Sequence, residues 1–558
     1  MEEKKKTNDF QTLKWIYGKT KHQLPKMAVL LAARCAATVL GVVFALASKE
    51  VIDAAVGRNP NLLIFSAAKL LAIIMAQIVI RLIGQNVEVR MTARMNMDFK
   101  RQLLASIMKK DYSAATAYHS GDLLSRINGD VGVVSSGLLT LIPSVTALIV
   151  GLAYALCTLI RLDRNFAFIF LFGGIVLLAV ISAFRGVMKK LHKRVQETAA
   201  RVFSFFQESI GSLLMVKVFG IENVISEKAE ELQDENYKAQ MTRQNISIVA
   251  GTGLGFIFSM GSLYALVWSA VRLYRGTITF GTLTAILQLV NQIQSPFAGL
   301  SGVVPRYYAI LASAERIIEL EDMPDEADNH PRLNPTDTYD ALESINFENI
   351  SFGYGRDIVL ENTGLVIEKG KFAVISGISG IGKSTLIKLL LGVVLPQDGR
   401  IYLKCRDGEI DVGKHSRPLF SYVPQGNLLL SGTIREAVSL VRPNATDEEI
   451  MAAAEFSCAA EFIRQLPEGL DTHVGEKGAG FSEGQVQRLA VTRAILSDAP
   501  VILLDEATSA LDEMTEERLL RNIRGMKGKT CIIISHKRAA FEVCDMRIYI
   551  KDGKISVE

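Results

Sequence analysis

Two stretches of this 558-residue chain carry residue types at spacings that can handle phosphate. Gly377-Ile-Ser-Gly-Ile-Gly-Lys-Ser384 has the form GxxxxGK[ST]. Gly377, Gly380 and Gly382 let the backbone turn its N–H groups onto phosphate oxygens, and the helix that follows presents its positive end. Lys383 can neutralise β- and γ-phosphate charge, Ser384 can offer a hydroxyl to Mg²⁺, and Thr385 can reach the α-phosphate. The second stretch, Val501-Ile-Leu-Leu504-Asp505-Glu506, is an apolar strand ending in two acids. Asp505 at the strand tip is placed to hold Mg²⁺ through water, and Glu506 to polarise an attacking water. Acids at a strand end are as often solvated turn residues, but a phosphate loop in the same domain favours the chemical reading. A third feature is Ser482 and Gly484 at the start of an apolar-periodic helix, Val486 to Leu496. There a hydroxyl, exposed N–H groups and the helix dipole can all point at an anion. One nucleotide has no use for two anion sites on one domain.

The elements that must position these residues follow from patterning. Apolar β-type runs at Ile345 to Ile350, Phe372 to Ser376, Val501 to Leu504 and Thr530 to Ser535 alternate with helical patterns. That alternation predicts an α/β domain over residues 344–558. The phosphate loop then lies between the strand Phe372 to Ile375 and the helix Leu386 to Leu391. Ahead of the domain, residues 319–343 are acidic, contain Pro324, Pro331 and Pro335, and lack apolar periodicity, which reads as a linker.

Residues 1–318 are of a different kind. The whole chain is 49% hydrophobic and 22% charged, rich for a soluble protein. Crossing a hydrocarbon core of about 30 Å takes about 20 apolar residues in a helix. Six stretches approach that length, near 27–48, 62–83, 135–160, 165–184, 246–272 and 282–304. The tail before Met27 holds seven Lys/Arg, residues 84–134 seven and 185–245 ten, whereas 49–61, 161–164 and 273–281 hold two, two and one. By the positive-inside tendency the basic segments, both termini and the α/β domain are cytoplasmic. The two long basic loops read as helices extending beyond the bilayer. Trp15 and Tyr17 read as a short helix at the inner interface, with structural packing an equal alternative.

A net charge of +4 supports no nucleic-acid partner, and six scattered cysteines without CxxC or zinc spacing read as reduced, buried side chains. No cleaved secretory signal is expected, because residues 1–20 have no apolar core. Inside the spans, Gln288, Asn291, Gln292 and Ser295 share one helical face, as do Gln77, Arg81 and Gln85, while Arg34 lies in the first span. Helix-to-helix bonding and snorkelling compete here with a polar, partly cationic cavity suited to a peptide or an amphipathic anion.

Phe481 and Ser482-Glu-Gly-Gln-Val-Gln-Arg488 match the ABC signature, and with the stretches above the chain resembles an ABC transporter of exporter type, its membrane domain fused ahead of its nucleotide-binding domain. The resemblance covers almost the whole length. It implies that Tyr354 stacks on adenine, that Ser379 and Gln485 join the nucleotide-binding set, and that Gln425 touches Mg²⁺. It further implies that Glu476 contacts the cytoplasmic loops, that Ser509 to Asp512 link two ATP sites, and that His536 senses the γ-phosphate. His119 to Arg126 resembles the region after a first coupling helix, and Gly211 to Gly220 a second. The family pairs two nucleotide domains head to tail, each signature closing over the other's phosphate loop. One chain is then half of a transporter, with a homodimer expected and a heterodimer the alternative. ATP, Mg²⁺, membrane lipid and an exported peptide, drug-like amphiphile or lipid are the implied cofactors and partners, in the cell membrane. Export by alternating access is the expected function, with an importer of the same fold or an ATP-gated channel or regulator as alternatives. Phe481 and Glu483 depart from the Leu and Gly most often found there, and an acid near phosphate must turn its side chain away.

Overall fold

The computed structural model describes residues 9–118, 120–326, 330–355, 357–378, 380–426, 429–475, 478–526 and 528–558; the side chains of 169–171, 175–185, 189, 295–302, 304 and 305 are outside the description. Ser379, Glu476 and His119 also lie outside the described residues, as does the side chain of Ser295. The chain packs as two units, residues 1–106 with 121–322, and 107–120 with 323–558.

The first unit is helical. After α1 (Asp9–Thr20) come the long helices α2 (Leu24–Val56) and α3 (Pro60–Ile107), the short α4 (Tyr112–Thr116) and α5 (Ser120–Ser125), and then α6 (Val131–Leu162), α7 (Arg164–Gly211), α8 (Leu213–Phe219), α9 (Glu222–Tyr274) and α10 (Phe280–Glu321); of these, α4 packs with the second unit. Each expected span falls within one of the six long helices. Among the described residues, Asp9–Val56, Pro60–Ile107, Ser120–Leu162 and Glu222–Tyr274 are long and apolar enough to cross a membrane. The stretches 165–184 and 282–304 run partly over side chains that are not described. At 1.5 Å per residue the 48-residue α3 is about 72 Å long, more than twice the hydrocarbon core. The long basic loops are therefore largely helix, as their patterning predicts.

Helix boundaries follow local chemistry. Asp163 caps α7 by accepting the Phe166 N–H at 3.1 Å, and its other oxygen accepts the Trp268 indole N–H at 3.0 Å. Thr279 caps α10 through the Thr282 N–H at 3.2 Å. Val42, Ala45, Ala155, Leu159, Phe166, Ala265, Ile286 and Leu289 form the buried core of this unit. Small residues let the backbones approach: a methyl on Gly151 would sit 2.3 Å from Thr38 Cγ2.

For Trp15 on α1 the structure shows the packing alternative. The Trp15 indole N–H donates to Glu321 Oε2 at 2.9 Å, its ring lies 6.3 Å from that of Phe99, and Lys19 Nζ reaches Glu321 Oε1 at 2.7 Å. Phe99 is sixteen residues past the expected end of the second span, about 24 Å along a helix. Trp15 thus packs between α3 and α10.

The second unit is built on two sheets. A four-stranded antiparallel sheet has the order β2-β1-β4-β5, from β1 (Leu342–Tyr354), β2 (Asp357–Glu368), β4 (Asp398–Cys405) and β5 (Gly408–Asp411). A six-stranded sheet has the order β12-β11-β3-β10-β9-β6, from β3 (Phe372–Ser376), β6 (Phe420–Val423), β9 (Val501–Asp505), β10 (Thr530–Ile534), β11 (Met546–Lys551) and β12 (Lys554–Val557). Strands β11, β3, β10, β9 and β6 run parallel, and β3, β9 and β10 coincide with apolar runs seen in the sequence. Their continuous burial explains why these runs do not alternate. Described residues 330–341 of the segment expected as a linker dock on this unit. Leu333 N–H donates to His415 O at 3.0 Å, Asn334 caps α11 (Pro335–Ala341), and Tyr339 shares a 2.8 Å hydrogen bond with Thr530. Proline and acid content break periodicity there without preventing the backbone and single side chains from docking on the sheet.

Candidate functional site

Parallel pairing places the carboxyl ends of β3, β10, β9 and β6 side by side on one edge of the sheet. The phosphate loop leaves β3, His536 follows β10, Asp505 and Glu506 end β9, and Gln425 follows β6. Four residues far apart in sequence share one edge because parallel strands expose their carboxyl ends together, the place where open α/β sheets bind ligands.

In the loop, Gly382 has φ +109°, and a methyl on it would meet Val359 Cγ1 at 2.3 Å, so both backbone conformation and space require glycine. The helix α12 (Lys383–Leu390) starts immediately afterwards, its amino end at the loop. Lys383 is buried, and its Nζ donates to the carbonyls of Gly377 at 2.8 Å and Ile378 at 3.1 Å, so its ammonium lies against the loop's own backbone. Thr385 is buried on the same helix.

Asp505 is 1% exposed, and both its oxygens are engaged. Ser384 Oγ donates to Oδ1 at 3.1 Å, and the Tyr422 hydroxyl donates to Oδ2 at 3.2 Å. Burial pushes the Asp505 carboxyl above the usual aspartate range, partly offset by these two donors. Burial, with the neighbouring Asp505 charge, likewise raises the Tyr422 phenol, which keeps its proton for donation. Next along the chain, Glu506 is a non-glycine residue at φ +51°, a left-handed backbone that costs energy and that clusters at functional sites. Its N–H donates to Ile534 O at 3.2 Å, and its Oε2 accepts Gln425 Nε2 at 2.7 Å. The strained turn thus brings the acids of β9 together with the glutamine after β6.

The remaining predicted residues sit elsewhere on the unit. Tyr354, at the end of β1, is 47% exposed and packs edge-on against Phe352, leaving its ring accessible for stacking. His536 is exposed at the end of β10. Ser482 caps the helix Glu483–Leu496 by accepting the Gln485 N–H at 3.3 Å, while Gln485 Oε1 accepts the Ser482 N–H at 2.9 Å. Gln485 therefore closes a capping box, a structural task. A methyl on Gly484 would stand 2.9 Å from Ala510 O, so this glycine lets the helix approach the loop after β9. Glu483 is exposed at the first turn of that helix. Among the described residues, no hydrogen bond joins Ser482, Gly484 or Gln485 to residues 377–385.

Sequence reasoning missed Gln487 and Lys537. Gln487 bonds Ser509 Oγ at 2.9 Å and accepts the Ala510 N–H at 3.0 Å, tying the signature helix to the loop after β9. Lys537 donates to the carbonyls of Thr508 at 2.8 Å and Leu511 at 2.9 Å and pairs with Glu516 at 3.1 Å. Single long polar side chains carry no periodicity, so nothing in the pattern marks them. Tyr422 was also missed, although its place beside β9 follows once the strand order is known.

A phosphate-loop ATPase joined to a set of long apolar helices is the class these two units define, a multi-pass membrane protein with its own ATP-hydrolysing domain. The chain belongs to the ABC transporter family: residues 27–297 match the model for the ABC transporter transmembrane region, and 360–509 that for the ABC transporter itself. Within the family it is an exporter-type half-transporter, an ATPase coupled to export. It is similar to the ATP-dependent lipid A-core flippase of Shewanella frigidimarina (30% identical over 499 residues, 83% of this chain and 78% of the relative). It also resembles the fatty acid ABC transporter ATP-binding/permease protein of Mycobacterium bovis (29% identical, 78% of this chain and 69% of the relative). In fold it matches the structure of a bacterial Atm1-family ABC exporter with ATP bound, with a TM-score of 0.79, 23% identity, and coverage of 96% of this chain and 94% of that one.

Proposed function

We propose that two copies of this chain hydrolyse ATP at two shared sites and thereby move a lipid-like amphiphile out of the cytoplasmic leaflet by alternating access. The chain termini and ATPase domain lie in the cytoplasm of a cell-membrane protein; residues 1–318 form the membrane domain, 319–343 the connection and 344–558 the ATPase. The observation that carries the catalytic part is the junction of Ser384, Asp505, Glu506 and Gln425 at adjacent strand ends.

In this reading, Tyr354 stacks on adenine. Residues Gly377, Ser379, Gly380, Gly382, Lys383, Ser384 and Thr385 hold the phosphates, and Lys383 neutralises charge that builds on the β–γ bridge as the terminal bond breaks. Glu506 accepts a proton from the attacking water, and Gln425, bonded to Glu506, orients that water; His536 supports the γ-phosphate. The set proposed for the ion, the Ser384 hydroxyl, the Asp505 carboxylate and the Gln425 amide oxygen, is of the hard-oxygen type that Mg²⁺ prefers. Ser384, Asp505 and Gln425 would hold it, and the ion would supply neutralisation of phosphate charge. Ser482 and Gly484, with Gln485 as the capping partner, supply the anion-facing end of the partner copy's site.

For the cargo, two relatives are named for lipid A-core and fatty acid, both amphiphiles with an anionic head. The polar stripe of α10 is partly structural here: Gln292 Nε2 donates to Gly41 O at 2.8 Å. Arg81 and Gln85 on α3 are exposed, however, and supply a cationic and a polar contact for such a head. Replacing Arg81 with Gln should lower stimulation of ATPase by an anionic amphiphile in nanodiscs while leaving basal turnover unchanged. Unaltered stimulation would return Arg81 to a snorkelling role.

The catalytic assignment is tested by Glu506→Gln. The variant should bind ATP and lose steady-state hydrolysis by about a hundredfold or more, within the range for removal of a general base. Turnover at the original rate would remove Glu506 from this role.

A further inference from the structure

We propose that Lys537 is a positioning residue for ATP hydrolysis: it locks the turn that carries His536 to the loop that follows Asp505 and Glu506, so that both enter the site in one fixed arrangement. The inference rests on the reading that His536 supports the γ-phosphate.

The turn is fixed on both sides of His536. Before it, the Ser535 N–H donates to Ile375 O at 3.3 Å, on the strand that leads into the phosphate loop. Across it, the Lys537 N–H donates to Ser535 Oγ at 3.1 Å, a local side-chain bond that closes the turn around the histidine. Ser535 is buried and His536 exposed, so the backbone that presents the imidazole is set by its two neighbours.

The Lys537 side chain then reaches the next loop. Its ammonium donates to Thr508 O at 2.8 Å and to Leu511 O at 2.9 Å, and it pairs with Glu516 Oε2 at 3.1 Å. An ammonium has three N–H donors, and three acceptors from three residues meet this one. The other Glu516 oxygen accepts the Thr508 hydroxyl at 2.7 Å, and both residues are buried. Gln487 holds the same loop separately, through Ser509 Oγ and the Ala510 N–H. Residues 508–511 are therefore tied at one end to the His536 turn and at the other to the helix that Ser482 caps.

Stability alone does not account for this arrangement. Desolvating two charges offsets most of their attraction, and an apolar pair of similar size serves a fold as well. What the lysine adds is direction, because two of its three bonds go to main-chain carbonyls of the loop that starts at the strained Glu506. A shift of that loop relative to His536 would have to break them.

The test compares steady-state ATPase kinetics and thermal midpoints of the full chain in lipid nanodiscs. Lys537→Met keeps most of the stem but strands a buried carboxylate, so it should lower both the midpoint and kcat. Adding Glu516→Gln removes that charge and keeps an acceptor for Thr508. The double variant should regain the midpoint of Glu516→Gln alone, while kcat stays down on the order of tenfold to a hundredfold, the scale of a misplaced catalytic group. Its KM for ATP should stay within about twofold of the parent, so that kcat and kcat/KM fall together. Glu516→Gln alone leaves both carbonyl bonds of Lys537 in place and should keep kcat within about threefold. Parent-like kcat in the double variant would overturn the proposal and make Lys537 one half of a structural ion pair. An equal loss of kcat in Glu516→Gln alone would also overturn it, by tracing the effect to the pair and not to the carbonyl bonds. His536→Ala separates this failure from that of the underlying reading. If His536→Ala hydrolyses ATP at the parent rate, the role of His536 falls and the proposal with it; if it is inactive while the double variant is not, only the role of Lys537 falls.

Discussion

Glu506 is where residue identity and backbone geometry bear most directly on the chemistry. Its left-handed conformation turns the chain immediately after the buried Asp505, so that one acid stays under the loop with Ser384 while the next meets Gln425. Gly382 is constrained as tightly. A Gly382→Ala variant meets both a φ of +109° and Val359, and it should lose nucleotide binding by tenfold or more (~1.4 kcal/mol), measured by fluorescent-ATP titration. Retention of full affinity would mean the loop tolerates a shift that its packing argues against. At this scale the sequence was most informative where spacing itself is the chemistry: the loop 377–385, the acids 505 and 506, and the cap at Ser482 could all be named from the chain alone. Gln487, Lys537 and Tyr422 could not, because each acts through one long side chain whose partner is distant in sequence.

Among elements, the parallel strands explain why the site exists. Apolar runs announced β3, β9 and β10, which are buried along their lengths except at Ser376, the last residue of β3. The antiparallel sheet of β1, β2, β4 and β5 was less legible, since β1 carries bulges that interrupt alternation and β4 and β5 are half-exposed. The sequence left the place of α1 open between two readings, because tryptophan among lysines suits a lipid interface and a helix-packing corner equally well. Asp545 shows how a loop holds an element in register: it accepts the Phe372 N–H at 2.9 Å at the start of β3 and pairs with Arg524. The Arg524 guanidinium holds its carboxyl below the ordinary value of 3.8. Because the folded value is depressed, the stabilisation is complete above the unfolded value and is lost as pH falls through the folded one. Asp545→Asn should therefore lower the thermal midpoint for loss of nucleotide binding at pH 7, by an amount corresponding to about 1 kcal/mol. The gap from the parent should narrow below about pH 4. A gap independent of pH would show that the charge contributes nothing.

For the whole molecule, composition and the six apolar stretches announced a membrane protein, and the motifs announced its motor; the assembly and cargo depend on surfaces that a single chain does not reveal. The central claim is that each ATP site takes its phosphate loop from one copy and its signature helix from the other. Ser482 and Gln485 form a capping box, yet neither Ser482 nor Gly484 makes a hydrogen bond to the described residues of the phosphate loop in the same copy. The most direct measurement is ATPase activity after co-expression of two differently tagged inactive variants, Lys383→Ala and Gly484→Asp, with mixed dimers isolated by both tags. If the sites are shared, each variant alone is inactive, whereas the mixed dimer has one site with both defects and one site with none. It should recover about half of the parent activity if the intact site turns over independently, and a clearly measurable activity if the two sites are coupled. No recovery in doubly tagged dimers, with ATP still binding to the Gly484→Asp copy, would contradict the account.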